Sequence, residues 1–174
     1  KPKDDGACNH LTNKQIPDIS LPNQDGNLLK LSRSDTFRLI IYCYPMTGNP
    51  NKPLPKNWDS IPGARGCTPE TCSFRDVHDD FITRNAVPVG LSTQSVHDIK
   101  EMTARLLIPY DVVSDENLSF VKQLRLPTFK VEDKVYIKRL ALIVEKSIIK
   151  HFFYPVFPTD LHVKEVLQWL DSNR

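Results

Sequence analysis

The sequence predicts an α/β domain whose sheet is covered by helices on both faces and preceded by a β-hairpin. Three observations predict it. Strand-like apolar runs alternate with helical patterns along the chain, and the alternation closes on a hairpin and a final helix. Phe37 to Tyr44 is apolar nearly throughout and rich in β-formers, as a strand buried on both faces reads. Asn23-Gln24-Asp25-Gly26 sits between the partly apolar runs Ile16 to Leu21 and Asn27 to Leu31, and Asp-Gly in that setting reads as a hairpin turn.

The remaining elements follow in order. Residues 1–15 read as a mobile tail. Between Pro45 and Ala64 five prolines (Pro45, Pro50, Pro53, Pro55, Pro62) with Gly48 and Gly63 argue against regular structure. A helix is expected from about Thr68, with Thr68 as N-cap, Pro69 at the first helical position and Glu70 adding negative charge to the first turn. Phe74, Val77 and Phe81 continue it at helical spacing. Ala86 to Leu91 reads as a strand, Ser95 to Leu107 as a helix ended by Pro109, and Asn117 to Leu124 as a short helix. Leu140 to Val144 and Ile148 to Phe153 read as strands around Glu145-Lys146-Ser147. Thr159 or Asp160 is placed to cap a last helix with the apolar stripe Val163, Val166, Leu167 and Leu170.

Composition excludes several classes. The 174 residues suit a single domain, 40% hydrophobic and 25% charged, with a net charge of +2. That charge is too mild to argue for nucleic acid or an anionic membrane surface. The longest apolar run, Leu39 to Tyr44, is far too short to cross a bilayer. No apolar segment follows Lys1-Pro2-Lys3-Asp4-Asp5 as a signal peptide requires. Four cysteines (Cys8, Cys43, Cys67, Cys72) are too few for a disulfide scaffold in a chain this long, so reduced thiols in the cytoplasm are expected.

Cys67 and Cys72 stand at the helix entrance, where exposed N–H groups favour a thiolate. Arg65 and Arg75 bracket them. In continuous helix the two lie roughly 8 Å apart on different faces, whereas a disulfide needs Cα atoms about 4.4–6.8 Å apart. They pair only if the first turn unwinds. Two unrelated thiols remain an alternative on spacing alone. A zinc site from Cys67, Cys72 and His78 lacks the short Cys-x2–4-Cys spacing and an evident fourth ligand. Cys43 reads as a small buried hydrophobe and Cys8 as incidental. His78, His97, His151 and His162 have no partner visible in sequence.

Gly66-Cys67-Thr68-Pro69-Glu70-Thr71-Cys72-Ser73-Phe74-Arg75-Asp76 resembles the active-site stretch of peroxiredoxins of the PrxQ, or bacterioferritin comigratory, class. Tyr44-Pro45, Val89-Gly90-Leu91-Ser92, Val113-Ser114-Asp115 and Arg139 before Leu140 to Val144 fall in the family's order. The resemblance spans about Ile16 to Leu170. It implies a thioredoxin-like fold with a central mixed sheet, and reduction of hydrogen peroxide and organic hydroperoxides. Cys67 would be peroxidatic and Cys72 resolving, through an intramolecular disulfide. A thioredoxin- or glutaredoxin-like donor would recycle it, without metal or organic cofactor. Arg139 would stabilise the thiolate and the developing charge on peroxide oxygen. Pro45, Thr47, Gly66 and Glu70 are pocket candidates. A monomer or weak homodimer is expected.

The sequence departs from the family at two places. In the pattern P-x-x-x-T-x-x-C the proline and cysteine are seven positions apart; Pro45 and Cys67 are 22 apart, an insertion of about fifteen residues within 46–63. The family threonine falls on Ala64, with Thr47 or Ser60 as conceivable substitutes, and Ala141 replaces a second motif threonine. Trp58 lies in the insertion, which would serve as a cover, a docking loop or plain structure. A peroxide-sensing or redox-regulated binding module with little turnover is therefore the alternative function.

Overall fold

The computed structural model describes residues 1–33 and 35–174. The hairpin forms as expected, with β1 (Ser20–Pro22) antiparallel to β2 (Leu28–Lys30). Asn23 closes its turn, the side-chain Oδ1 accepting from the N–H groups of Asp25 and Asn27. The central sheet has five strands: β3 (Arg38–Cys43), β4 (Ala86–Ser92), β5 (Val112–Ser114), β8 (Leu140–Glu145) and β9 (Ile148–Phe153). Their order is β5-β4-β3-β8-β9. β3, β4 and β5 run parallel, while β8 and β9 are antiparallel to their neighbours, so the sheet is mixed.

Strand alternation builds a core on each face. Leu39, Ile41, Cys43, Leu140 and Leu142 face one side, with Phe120, Val121 and Leu124 of α4 (Ser119–Leu124) and Leu21 of the N-terminal hairpin. Ile40, Tyr42, Tyr44, Ala141 and Ile143 face the other. Over them lie α1 (Cys67–Asp76), α2 (His78–Thr83), α3 (Val96–Arg105) and α5 (His162–Ser172), through Phe74, Phe81, Ile99, Val166 and Leu170. Cys43 and Cys67 therefore belong to opposite faces of the sheet.

Several boundaries differ from the sequence expectation. α1 begins at Cys67, with Gly66 as N-cap at φ 103°, so Thr68 is not the cap and Pro69 is the third helical residue. Proline is tolerated there because the first four helical N–H groups have no intrahelical partner anyway. The expected single helix through Phe81 breaks at Val77 into α1 and α2. The helix expected over Ser95 to Leu107 runs from Val96 to Arg105, and Ser95 caps it, its hydroxyl accepting from Asp98 N–H. Neither Thr159 nor Asp160 caps α5: Leu161 holds that place without a side-chain bond. β6 (Thr128–Val131) and β7 (Lys134–Ile137) form a second hairpin that the charges of Lys130, Glu132, Asp133 and Lys134 conceal in the sequence.

The N-terminal segment is not a free tail. Asn13 N–H donates to Ile149 C=O and Ile149 N–H to Lys14 C=O, both at 2.8 Å, which adds this segment to the edge of β9. Leu11 and Cys8 are fully buried in the core beside Cys43, so Cys8 is a packing residue rather than an exposed thiol. Burial pushes the Cys8 thiol up to about 12 and Cys43 well above the ordinary thiol range. The insertion is irregular as expected except for a single 3-10 turn, Trp58–Ser60. Trp58 packs on Tyr136 and Phe129, at ring-centroid distances of 5.0 and 5.8 Å, and so fastens the loop to the β6–β7 hairpin.

Leu11→Ala removes a fully buried side chain, so it lowers stability by about 2–5 kcal/mol. Urea unfolding reads this as a lower midpoint; an unaltered midpoint is what a mobile tail would give.

Candidate active site

The site assembles where α1 meets the end of β3 and the residue before β8. Gly66 can enter the helix because its positive φ suits glycine, and because a Cβ there would collide with Thr159 Oγ1. Cys67 is thereby the first residue of α1, with its side chain on the sheet. Arg139 immediately precedes β8 and turns inward. Cys67 is 3% exposed and Arg139 3%. Arg139 Nη2 lies 3.0 Å from Cys67 Sγ.

The guanidinium is also the centre of a wider network. Its Nη1 donates to Glu70 Oε1 at 2.8 Å, a pair with both side chains buried. Its Nη2 faces the carbonyls of Gly63, Ala64 and Arg65 at 3.3, 3.4 and 3.0 Å. One nitrogen with two hydrogens therefore faces three carbonyls and a sulfur. Glu70 Oε2 and Arg139 Nε have no hydrogen-bond partner. An incoming oxygen has unfilled donor capacity to meet here.

Electrostatics differ from the simple helix-entrance expectation. Burial pushes the Cys67 thiol up; Arg139 and the Met46 N–H pull it down, and Glu70 pushes it up again, with a net rise. The thiol donates to Ala64 C=O at 3.7 Å, which favours the protonated form. Burial raises the Glu70 carboxyl to about 7, although Arg139 opposes the shift. Burial works against the charge on Arg139, but Cys67 and Glu70 outweigh it, with a net shift upward.

The other sequence candidates separate. Pro45 forms the bend after β3 that delivers Met46 to the sulfur. Thr47 is occupied elsewhere: its N–H and hydroxyl reach Gln94 Oε1 at 3.0 and 3.2 Å. Ser60 is exposed and donates to Asn57 C=O at 2.8 Å. Neither is seen replacing the hydroxyl missing at Ala64; a backbone carbonyl occupies that side of the thiol instead. Arg65 is exposed and pairs with Asp59 at 3.5 Å, while Arg75 pairs with Asp76. Cys72 is half-buried and unbonded, on continuous α1. No group of three or more potential metal ligands gathers among the described residues.

Two features escaped the sequence reading. His162 on α5 is 2% exposed, and neither ring nitrogen has a partner. Its ring stands edge-on to Phe153 and Phe74, and burial, then Arg139, lowers its pKa to about 3. A histidine amid apolar spacing gives no local sign of this. The second is a cavity of about 100 Å³ bordered by Arg139, Gly63 and Lys138, with walls that include Pro2, Phe129, Pro155 and Val156.

The mixed sheet and the cysteine at the entrance of its first helix define a thioredoxin-like thiol protein. Residues 11–170 match the family model described as Redoxin, and the chain belongs to that family. It is 26% identical over 161 residues to Peroxiredoxin Bcp of Escherichia coli strain K12, covering 90% of this chain and 93% of that one. It is 24% identical over 156 residues to the chloroplastic Peroxiredoxin Q of Populus jackii, covering 90% of this chain. There it spans about two thirds of the relative's length, 66%. Peroxidoxin BcpB from Mycobacterium tuberculosis superposes with a TM-score of 0.78 at 24% identity, covering 95% of this chain and 99% of that one. No helix among the described residues is long and apolar enough to cross a membrane.

Glu70→Gln removes the anion that pushes the Cys67 thiol up, so the ultraviolet thiolate absorbance of Cys67 develops at lower pH. Because folding raises the Glu70 carboxyl from 4.5 to about 7, the folded protein holds a proton there that the unfolded chain releases. This group's contribution to stability therefore falls as pH rises from about 4.5 to about 7 and is flat above. Glu70→Gln abolishes that slope in pH-dependent denaturation. Arg139→Met removes the cation that holds the Glu70 carboxyl down, costs about 3–5 kcal/mol at a pH where Glu70 is ionised, and moves the Cys67 titration to higher pH.

Proposed function

We propose that the chain is a thiol-dependent peroxidase that reduces hydroperoxides through Cys67 and Cys72. The observation that carries this reading is the guanidinium of Arg139 held 3.0 Å from the sulfur of a cysteine at a helix N-terminus. The Cys67 thiolate attacks one oxygen of the hydroperoxide. An S–O bond forms and the O–O bond breaks. The leaving oxygen takes a proton and departs as water or an alcohol, and Cys67 becomes a sulfenic acid. Arg139 stabilises the thiolate and the negative charge that grows on the leaving oxygen.

Cys72 completes the cycle. Its thiolate attacks the Cys67 sulfur, an S–S bond forms, and hydroxide leaves and is protonated to water. α1 must open locally for this, since its continuous form holds the two sulfurs on different faces. A thioredoxin- or glutaredoxin-like dithiol then reduces the disulfide by exchange. The protein acts as a monomer or weak homodimer in a reducing compartment, the cytoplasm, where its buried Cys8 and Cys43 stay reduced. The apolar cavity beside Arg139 seats the organic substituent of an alkyl hydroperoxide.

The alternative, a peroxide sensor with little turnover, is favoured by one observation. Ala64 offers the thiol a carbonyl acceptor in place of a hydroxyl, which works against the thiolate. Steady-state turnover with a thioredoxin system separates the two.

Cys67→Ser loses peroxide consumption altogether; unchanged turnover in that variant excludes the peroxidase reading. Cys72→Ser consumes one equivalent of peroxide and then stalls or over-oxidises, and mass spectrometry of the wild-type protein after one equivalent shows a 67–72 disulfide. Val156→Phe narrows the cavity and lowers kcat/KM for tert-butyl hydroperoxide by about tenfold, while that for hydrogen peroxide stays within about twofold.

A further inference from the structure

The helix between Cys67 and Cys72 is gripped by two tyrosines that the peroxidase chemistry does not use, Tyr42 on β3 and Tyr110 in the loop before β5. Tyr110 Oη donates to the carbonyl oxygen of Thr71 at 3.0 Å. Tyr42 Oη lies 2.8 Å from Tyr110 Oη and 3.5 Å from Thr71 Oγ1. All three residues are buried. The Thr71 carbonyl shares its rigid peptide plane with the N–H of Cys72. Tyr110 therefore holds the peptide unit that must rotate when Cys72 turns toward Cys67.

The surroundings fix the pair in place. The Tyr42 ring stacks on Phe74 of α1 at 4.4 Å and an interplanar angle of 8°. Gly90, directly opposite Tyr42 on β4, makes room for the hydroxyl: a Cβ there would sit 2.8 Å from Tyr42 Oη. Beyond Cys72, Arg75 Nη1 donates to Leu106 C=O at 2.8 Å. Burial holds both phenols far above their ordinary range, so the hydroxyls keep their protons and remain donors. The Thr71 carbonyl is thus tied to Tyr110 before β5 as well as to its own helix, and opening this turn means breaking a buried bond that an isolated helix lacks.

We propose that Tyr110, backed by Tyr42, is a latch on the Thr71–Cys72 peptide and sets the rate at which Cys72 resolves the Cys67 sulfenic acid. This positioning role rests on the resolving assignment of Cys72. While the latch is closed, the sulfenic acid persists. A second hydroperoxide can then oxidise it to the sulfinic acid, itself being reduced to water or alcohol. Once the latch opens, the Cys72 thiolate attacks, the S–S bond forms and water leaves. The strength of the Tyr110 bond thereby sets the balance between turnover and peroxide-driven inactivation.

The test uses the full chain as Tyr110→Phe, which keeps the ring, with Tyr42→Phe as a milder second variant. Native-state amide exchange over Cys72–Arg75 reports the opening. Quenched mass spectrometry reports disulfide formation after one equivalent of hydrogen peroxide. In Tyr110→Phe both accelerate by about fivefold to tenfold. The first peroxide-consuming step keeps its rate, and more peroxide is needed to produce sulfinic acid. Tyr42→Phe shifts each quantity in the same direction by less. Unchanged exchange, or faster exchange with an unaltered disulfide rate, overturns the latch. Absence of a 67–72 disulfide in the wild-type protein is a separate failure, that of the Cys72 assignment, and the exchange rates still decide whether Tyr110 holds the helix.

Discussion

One buried guanidinium organises the reactive end of this molecule. Taking a cation out of water is expensive unless its charge and hydrogens are answered. Arg139 is answered by Glu70 from the first turn of α1, by the carbonyls of Gly63, Ala64 and Arg65, and by the sulfur of Cys67. The same set of contacts fixes where the inserted loop ends, where α1 begins and which way Cys67 points. Glu70 is an integral part of it, because without Arg139 its carboxylate has no counter-charge in the core.

The inserted loop changes the character of this arrangement more than its position. Its last residue, Gly63, and the two that follow it, Ala64 and Arg65, turn three carbonyls to the arginine, and its Trp58 binds it to a hairpin built from residues far along the chain. The thiol itself is buried among side chains of the sheet and helices. Burial then outweighs the cation and the Met46 N–H, and the sulfur is held nearer its neutral form. A site of this kind gains reactivity as it opens, so the conformational freedom of α1 and of the loop is part of its chemistry.

Much of this was legible in the sequence, and the exceptions have physical causes. The fold showed through because the buried strands are long apolar runs, and because the central strands and helices keep their own periods. Cys67 and Arg139 were named from motif residues. The Glu70–Arg139 ion pair was not, since its members are 69 positions apart and each reads locally as a surface charge. The cap of α1 was misplaced because Thr68 and Pro69 are good starting residues, whereas Gly66 wins through a close approach to Thr159 that only tertiary structure creates. The N-terminal segment looked like a tail because Cys8 and Leu11 are isolated apolar residues among polar ones; they reach the core singly, without a periodic pattern. The β6–β7 hairpin was hidden by its charges, and Glu132 takes the positive φ of its turn without a glycine to announce it.

Gly90 carries a consequence for how such a protein can vary. It stands on a buried strand, well outside the helix that carries the Cys67 sulfur, and contributes no functional group. Yet the space it leaves is filled by the hydroxyl end of Tyr42. The walls of the cavity beside Arg139 are separate side chains that can change one at a time, so the fit to a hydroperoxide that we propose for it is open to gradual drift. Position 90 offers no such path. A single methyl group there displaces a tyrosine that leans on α1, so the timing of the proposed thiol cycle is more narrowly constrained than the proposed choice of substrate.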